Sequence, residues 1–310
     1  MNEVPLRIAL FAFLLPGVGG CRAPCPRVRS LAAHIKARCI SPVPPSVPAL
    51  LVPSRTCDGP ARFALELPRL GSTGPLRMLH VQLRGGASAY VPLAKRDTVF
   101  GVVLAGPVTL ALGGAPTSPR SPTSRVLQAW EAFRIPHGHF DMTMSTPLDR
   151  PPPDRSPPDG ASARVLLIAV TADGRALEPG DRAVAPVDLA ALPDLTWGNG
   201  AFRARIALQA PDSPEASLGA LVARKDATIP LHVHEREWEH VIVLSGGGTF
   251  LTPTQQPATR TVRAGDVIHV PPGVRHGFQG NGREDLVGLQ LYTPPGPEQR
   301  FRKLAHPHAP

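Results

Sequence analysis

Two distant stretches of the chain carry the same pattern. AWEAFRIPHGHFD (129–141) and AGDVIHVPPGVRH (264–276) align without a gap on an alanine, an acidic residue, an aliphatic residue before proline, the proline itself and a glycine two residues later. VPLAKRDTVFGVVLAG (91–106) and IPLHVHEREWEHVIVLSG (229–246) correspond if the first has lost two residues relative to the second. The trailing VTADG (170–174) and YTPPG (292–296) then fall in step. A repeat of this length restricts the chain to two copies of one domain architecture.

That architecture is all-β. The 310 residues include 39 prolines and 29 glycines, which favour many short elements joined by turns. Short alternating or β-branched runs recur, among them RMLHVQL, DTVFGVVLAG and VTLAL. The first copy is expected over 58–175 and the second over 196–303. The stretch 145–160, STPLDRPPPDRSPPDG, cannot pair in a sheet and reads as a proline-rich loop within the first copy.

Upstream, Arg7 precedes an apolar run, Ile8 to Leu15, and Gly19 and Gly20 lead into Cys21. The run is too short for a membrane-spanning helix and suits a signal peptide. VGGC resembles a bacterial lipoprotein processing site, which implies lipidation at Cys21 and residues 1–21 as signal. An ordinary cleavable signal or a misassigned start are the alternatives. The expectation is an exported protein, membrane-anchored through lipid or periplasmic, and a cytoplasmic one if the segment is no signal. Residues 22–57 read as a proline- and arginine-rich tether carrying Cys25, Cys39 and Cys57, whose spacing matches no zinc pattern. The net charge of +9 comes mainly from scattered arginines, with lysines only at positions 36, 95, 225 and 303, and argues against a nucleic-acid patch.

The second copy holds the chemistry. In an extended strand His232 and His234 project to one side. Glu239, five residues after His234, returns to that side if the chain bends at EREW. His276 follows a tight Pro-Pro-Gly turn and supplies a third imidazole. Three imidazoles and a carboxylate suit one divalent transition metal, whether manganese, iron, nickel, copper or zinc. Four protein ligands on a six-coordinate ion leave two positions for water, substrate or dioxygen.

HVHEREWEHVIVLSG resembles the first cupin motif, and GDVIHVPPGVRH the second. Asp226 stands where the first motif has glycine, and Asn281 is one place late for the second motif's asparagine. The resemblance implies two double-stranded β-helix (jelly-roll) domains, with metal ligands His232, His234, Glu239 and His276 in the second. In the first copy the equivalent positions are Ala94, Arg96, Val99 and Asp141, a set that cannot hold a cation. His137 and His139 lie on the turn instead.

Arg224, Trp238, Gln290 and Tyr292 are expected near the mouth, where they line a substrate or serve as plain surface, core or dimer-contact residues. His240 and His269 fall on the opposite strand face and are expected at a surface or interface. The resemblance implies a metal-dependent oxygenase or oxidoreductase acting on a small oxygenated substrate, with Glu239 also serving as base. The alternative is a non-catalytic cupin that binds or senses a small ligand such as a sugar. Two-cupin decarboxylases generally keep ligands in both halves, which counts against that activity. A homodimer is the expected assembly if the chain has one.

Overall fold

The structure, a computed structural model, describes residues 7–9, 61–66, 76–83, 86, 88–93, 97–112, 123–137, 141–146, 163–171, 184–210, 213–253 and 258–305. The expected signal and tether, with all four cysteines, lie outside these residues, apart from a three-residue strand at Arg7–Ala9. The chain divides into two compact units, Gly17–Val187 and Asp188–Pro310, the latter together with the first sixteen residues.

In the C-terminal unit one sheet runs in the order Arg7–Ala9, Val267–Val270, Trp238–Ser245, Leu286–Thr293, Ser217–Ala223, Phe202–Leu208, Leu195–Trp197. A second runs Thr228–His232, His276–Gly280, Gly247–Leu251, Thr259–Arg263. In the N-terminal unit the larger sheet is Val184–Asp188, Glu131–Ile135, Asp97–Ala105, Ala163–Thr171, Leu76–Leu83, Ala61–Glu66. The smaller is Ser88–Pro92, Asp141–Ser145, Val108–Leu112, Thr123–Leu127. Each unit is a jelly roll of two antiparallel sheets.

The strand orders answer to the sequence repeat. Glu131–Ile135 and Val267–Val270, from the gapless alignment, occupy the same place in their sheets, and so do Asp141–Ser145 and His276–Gly280. One boundary differs from expectation. The first unit continues past 175, because Val184–Asp188 joins its larger sheet. Pro186 makes this run look like a linker. The strand sits at the sheet edge, the position in a sheet where proline is tolerated.

Apolar side chains fill the space between the sheets of each unit. In the N-terminal unit Val81, Val99, Val103, Ile135, Met142, Val165 and Leu167 belong to one buried cluster. In the C-terminal unit Phe202, Val241, Val243, Phe250, Val262, Ile268, Val270, Phe278 and Leu286 form another. The α-helix described, Gln299–Ala305, follows the last strand and buries Phe301.

Strand alternation places the site on this scaffold. Along Trp238–Ser245, Glu239 shares its face with Val241 and Val243, both in the inner cluster, so the carboxylate stands at the end of the apolar core. The strand is followed by Gly246, whose φ is +70° and whose Cβ, if present, would collide with the Asp285 carbonyl oxygen. Only glycine fits this passage to the next sheet.

Candidate metal centre

The four expected ligands converge. The ligand atoms of His232, His234, Glu239 and His276 all lie within 4.8 Å of one another. They arrive from different elements. His232 ends the Thr228–His232 strand and pairs directly with His276, the first residue of its own strand. His234 lies just beyond that strand, and Glu239 stands in the other sheet. The chain bends at Glu235 and Arg236, as expected at EREW, and the carboxylate meets the imidazoles from the other sheet.

The Pro-Pro-Gly turn fixes the approach of His276. Gly273 has φ of +77°, and its N–H donates to the His234 carbonyl at 2.7 Å, so the turn carries the loops of both histidines.

Hydrogen bonds set the ring orientations. His232 Nδ1 lies 2.8 Å from the Pro230 carbonyl and His276 Nδ1 lies 2.9 Å from the Val274 carbonyl. A carbonyl only accepts, so each Nδ1 donates to it and each ring turns its Nε2 inward. Glu239 Oε2 faces His276 Nε2 at 2.8 Å and His234 Nε2 at 3.1 Å. An Nε2 lone pair opposite a carboxylate oxygen needs a positive species between them, a proton or a metal cation. Donors about 2.0–2.2 Å from a shared ion sit roughly 3–4.4 Å apart, which this spread nearly meets. The residues fit one divalent ion.

Glu239 is the hub. Its Oε1 accepts from Gln290 Nε2 and from the Tyr292 hydroxyl, the latter at 3.3 Å. Tyr292 is directly opposite Glu239 across the ladder, and Gln290 is opposite Val241. Burial alone would raise the Glu239 carboxyl, but hydrogen bonds from His234 and His276 and their charge hold it well below the usual carboxylate range. Tyr292 goes the other way: burial, then the Glu239 charge, pushes its phenol well above the ordinary value. His232 is held down to about 4, by burial first and the charge of His276 second. It is also the half-buried member of the quartet, so the site opens on its side.

Other expected residues lie elsewhere. Arg224 is exposed and pairs with Asp226 at 3.7 Å, not with the quartet. Trp238 stacks on His240, rings 6.0 Å apart and nearly parallel, on the face away from Glu239. His240 is buried, not superficial, and its Nδ1 lies 2.8 Å from that of His269. In the first copy Val99 belongs to the apolar core and His137 to a turn, while Ala94, Arg96 and His139 are outside the described residues.

Sequence reasoning missed Arg300. Its Nη2 lies 3.3 Å from His232 Nε2 and 3.4 Å from the Tyr292 hydroxyl. No motif marks it, because its position depends on how the terminal helix packs.

Comparison with known proteins agrees with this geometry. The cupin domain family matches residues 221–292, which span the whole quartet. Residues 221–292, within the C-terminal unit, are a cupin domain. Germin-like protein 5-1 of Oryza sativa subsp. japonica is 40% identical over 76 residues, 22% of this chain and 33% of the relative, so the chain spans about a third of that relative's length. Among solved structures, a putative glyoxylate induced protein from Pseudomonas aeruginosa aligns with TM-score 0.58 and 16% identity over 76% of this chain and 80% of its own. Oxalate decarboxylase from Bacillus subtilis aligns with TM-score 0.56 and 14% identity over 75% of this chain and 71% of its own. That enzyme has Mn(II) centres. At these identities the likeness is one of fold, and it covers more of this chain than either unit alone contains.

Proposed function

We propose that this cupin is a metal-dependent oxygenase or related oxidoreductase acting on a small oxygenated substrate. The observation that carries the reading is the convergence of three imidazoles and one ionised carboxylate on one point, open on the side of His232. A divalent transition ion bound there supplies a Lewis-acid centre with positions for an oxygen ligand and, if redox-active, for dioxygen.

The chain's own residues have separable tasks. His232, His234 and His276 would hold the ion, with the rings of His232 and His276 oriented by the Pro230 and Val274 carbonyls. Glu239 is a carboxylate positioned to take a proton from bound substrate, with Gln290 and Tyr292 steadying Oε1. Tyr292 stays protonated and acts as a donor. Phe250, stacked on His276 at 5.9 Å, belongs to the apolar cluster beneath the site and keeps water from that side.

The test is metal analysis of purified protein, then oxygen uptake against enolic and diol substrates. Iron, copper or manganese with uptake that disappears in His276→Ala supports the oxygenase. Zinc with no uptake supports a ligand-binding cupin instead.

A further inference from the structure

The terminal helix carries a cation to the metal centre, and the packing around that cation is specific. Glu298, buried immediately before the helix, accepts from the Ser217 hydroxyl at 2.8 Å and from the Gly296 N–H at 2.7 Å. Phe301 is buried and stacks on Trp197, with ring centroids 5.0 Å apart and planes 12° apart. Arg300 sits between these two anchors, so its backbone is held at both sides. Its guanidinium reaches the quartet, with Nη2 near His232 Nε2 and the Tyr292 hydroxyl.

A guanidinium has donors only. Here one of them faces the nitrogen that His232 would offer to a metal, since the ring's other nitrogen is already engaged with Pro230. An ion in the quartet takes that lone pair and releases the Arg300 donor. The guanidinium then stands beside the ion on the open, His232 side, with no carboxylate paired to it among the described residues. Two positive centres side by side recruit an anion. A planar fork matches a carboxylate through two parallel hydrogen bonds, which a neutral diol or sugar hydroxyl cannot reproduce.

We propose that Arg300 is a substrate-binding residue that selects a small carboxylate, held with one end on the ion and its charge on the guanidinium. This rests on the metal-dependent reading above and narrows its substrate class from oxygenated molecules in general to carboxylates.

The experiment uses the full chain loaded with Co(II), whose visible spectrum reports ligands entering its coordination sphere. Formate is titrated into wild type, Arg300→Gln and Arg300→Lys, with ethylene glycol as the neutral probe and metal content measured for each. Wild type is expected to bind formate about tenfold to a hundredfold more tightly than Arg300→Gln, the range for losing a charge-assisted hydrogen bond. Arg300→Lys should fall between them, keeping the charge but not the fork. Ethylene glycol should respond equally in all three. Equal formate affinity in wild type and Arg300→Gln, both loaded with cobalt, would overturn the role of Arg300 and leave the metal reading standing. A parallel loss of glycol binding would also overturn it. Wild type that takes up no Co(II) would overturn both.

Discussion

Glu239 joins His234, His276, Gln290 and Tyr292, and substituting it separates ligation from support. Glu239→Gln removes the negative charge while keeping the shape, and the amide nitrogen would face His234 and His276 as a donor. Gln290→Ala leaves the ligand in place and removes only its brace. Loss of an outer partner typically costs about 10–100-fold in metal affinity, so Gln290→Ala should fall in that range and Glu239→Gln below it. Competition with a chromophoric chelator measures both, and equal affinities would mean that Glu239 is no ligand. His232 gives a pH prediction for metal-free protein. Its folded pKa, about 4, is below the ordinary 6.5, so between these values the unfolded chain binds a proton that the folded chain refuses. Its contribution to stability is whole above about pH 6.5 and is lost as pH falls toward 4. Thermal melts in chelator from about pH 7 to 5 should show falling stability, with a shallower slope in His232→Gln. The four ligands were legible because motif spacing encodes them directly. Arg224 and Trp238 kept two readings open in sequence because neighbourhood says little about direction: Arg224 follows a strand end and turns out to Asp226, and Trp238 takes the face opposite Glu239.

Two glycines flank the ligand strands and do different jobs, which a paired substitution tests. At Gly273 a Cβ would meet nothing within 4 Å, so only the positive φ resists a side chain. At Gly246 the same conformational cost is joined by collision with the Asp285 backbone, which cannot rotate away. Gly273→Ala should cost about 1–2 kcal/mol, the penalty of the left-handed conformation, and Gly246→Ala clearly more. Urea unfolding gives both values, and a Gly246→Ala cost no greater than that of Gly273→Ala would show that the Asp285 contact relaxes freely. The Gly273→Ala loss should also reach the site, because this turn holds the His234 loop. Elements were readable where alternation and turn chemistry agreed, as in the Trp238–Ser245 strand ending at Gly246. They were not readable where local preference and tertiary position conflict. Pro186 disguises an edge strand, and the QRFRKLA helix is too short to declare itself apart from the Trp197 surface that Phe301 covers.

At the scale of the molecule, duplication and divergence are both visible. The shared strand order shows that the repeat extends through the smaller sheets as well as the larger ones, which a few coincident residues could only suggest. The copies differ where chemistry would sit. In the C-terminal unit the start of the His276 strand faces His232, whereas in the N-terminal unit Asp141 faces Pro92. Val99, at the place of the glutamate, is packed among Val81, Ile135 and Val165, and a carboxylate there would lose its hydration without three imidazoles to replace it. The prediction is a stoichiometry of one ion per chain. Elemental analysis of metal-saturated protein should give close to one equivalent, and His276→Ala should reduce it to nearly none. Two equivalents in wild type, with one surviving in His276→Ala, would require a second ligand set outside the C-terminal jelly roll. One equivalent lost with His276 would assign the metal to the later copy and leave the earlier copy a jelly roll whose interior is filled by aliphatic side chains.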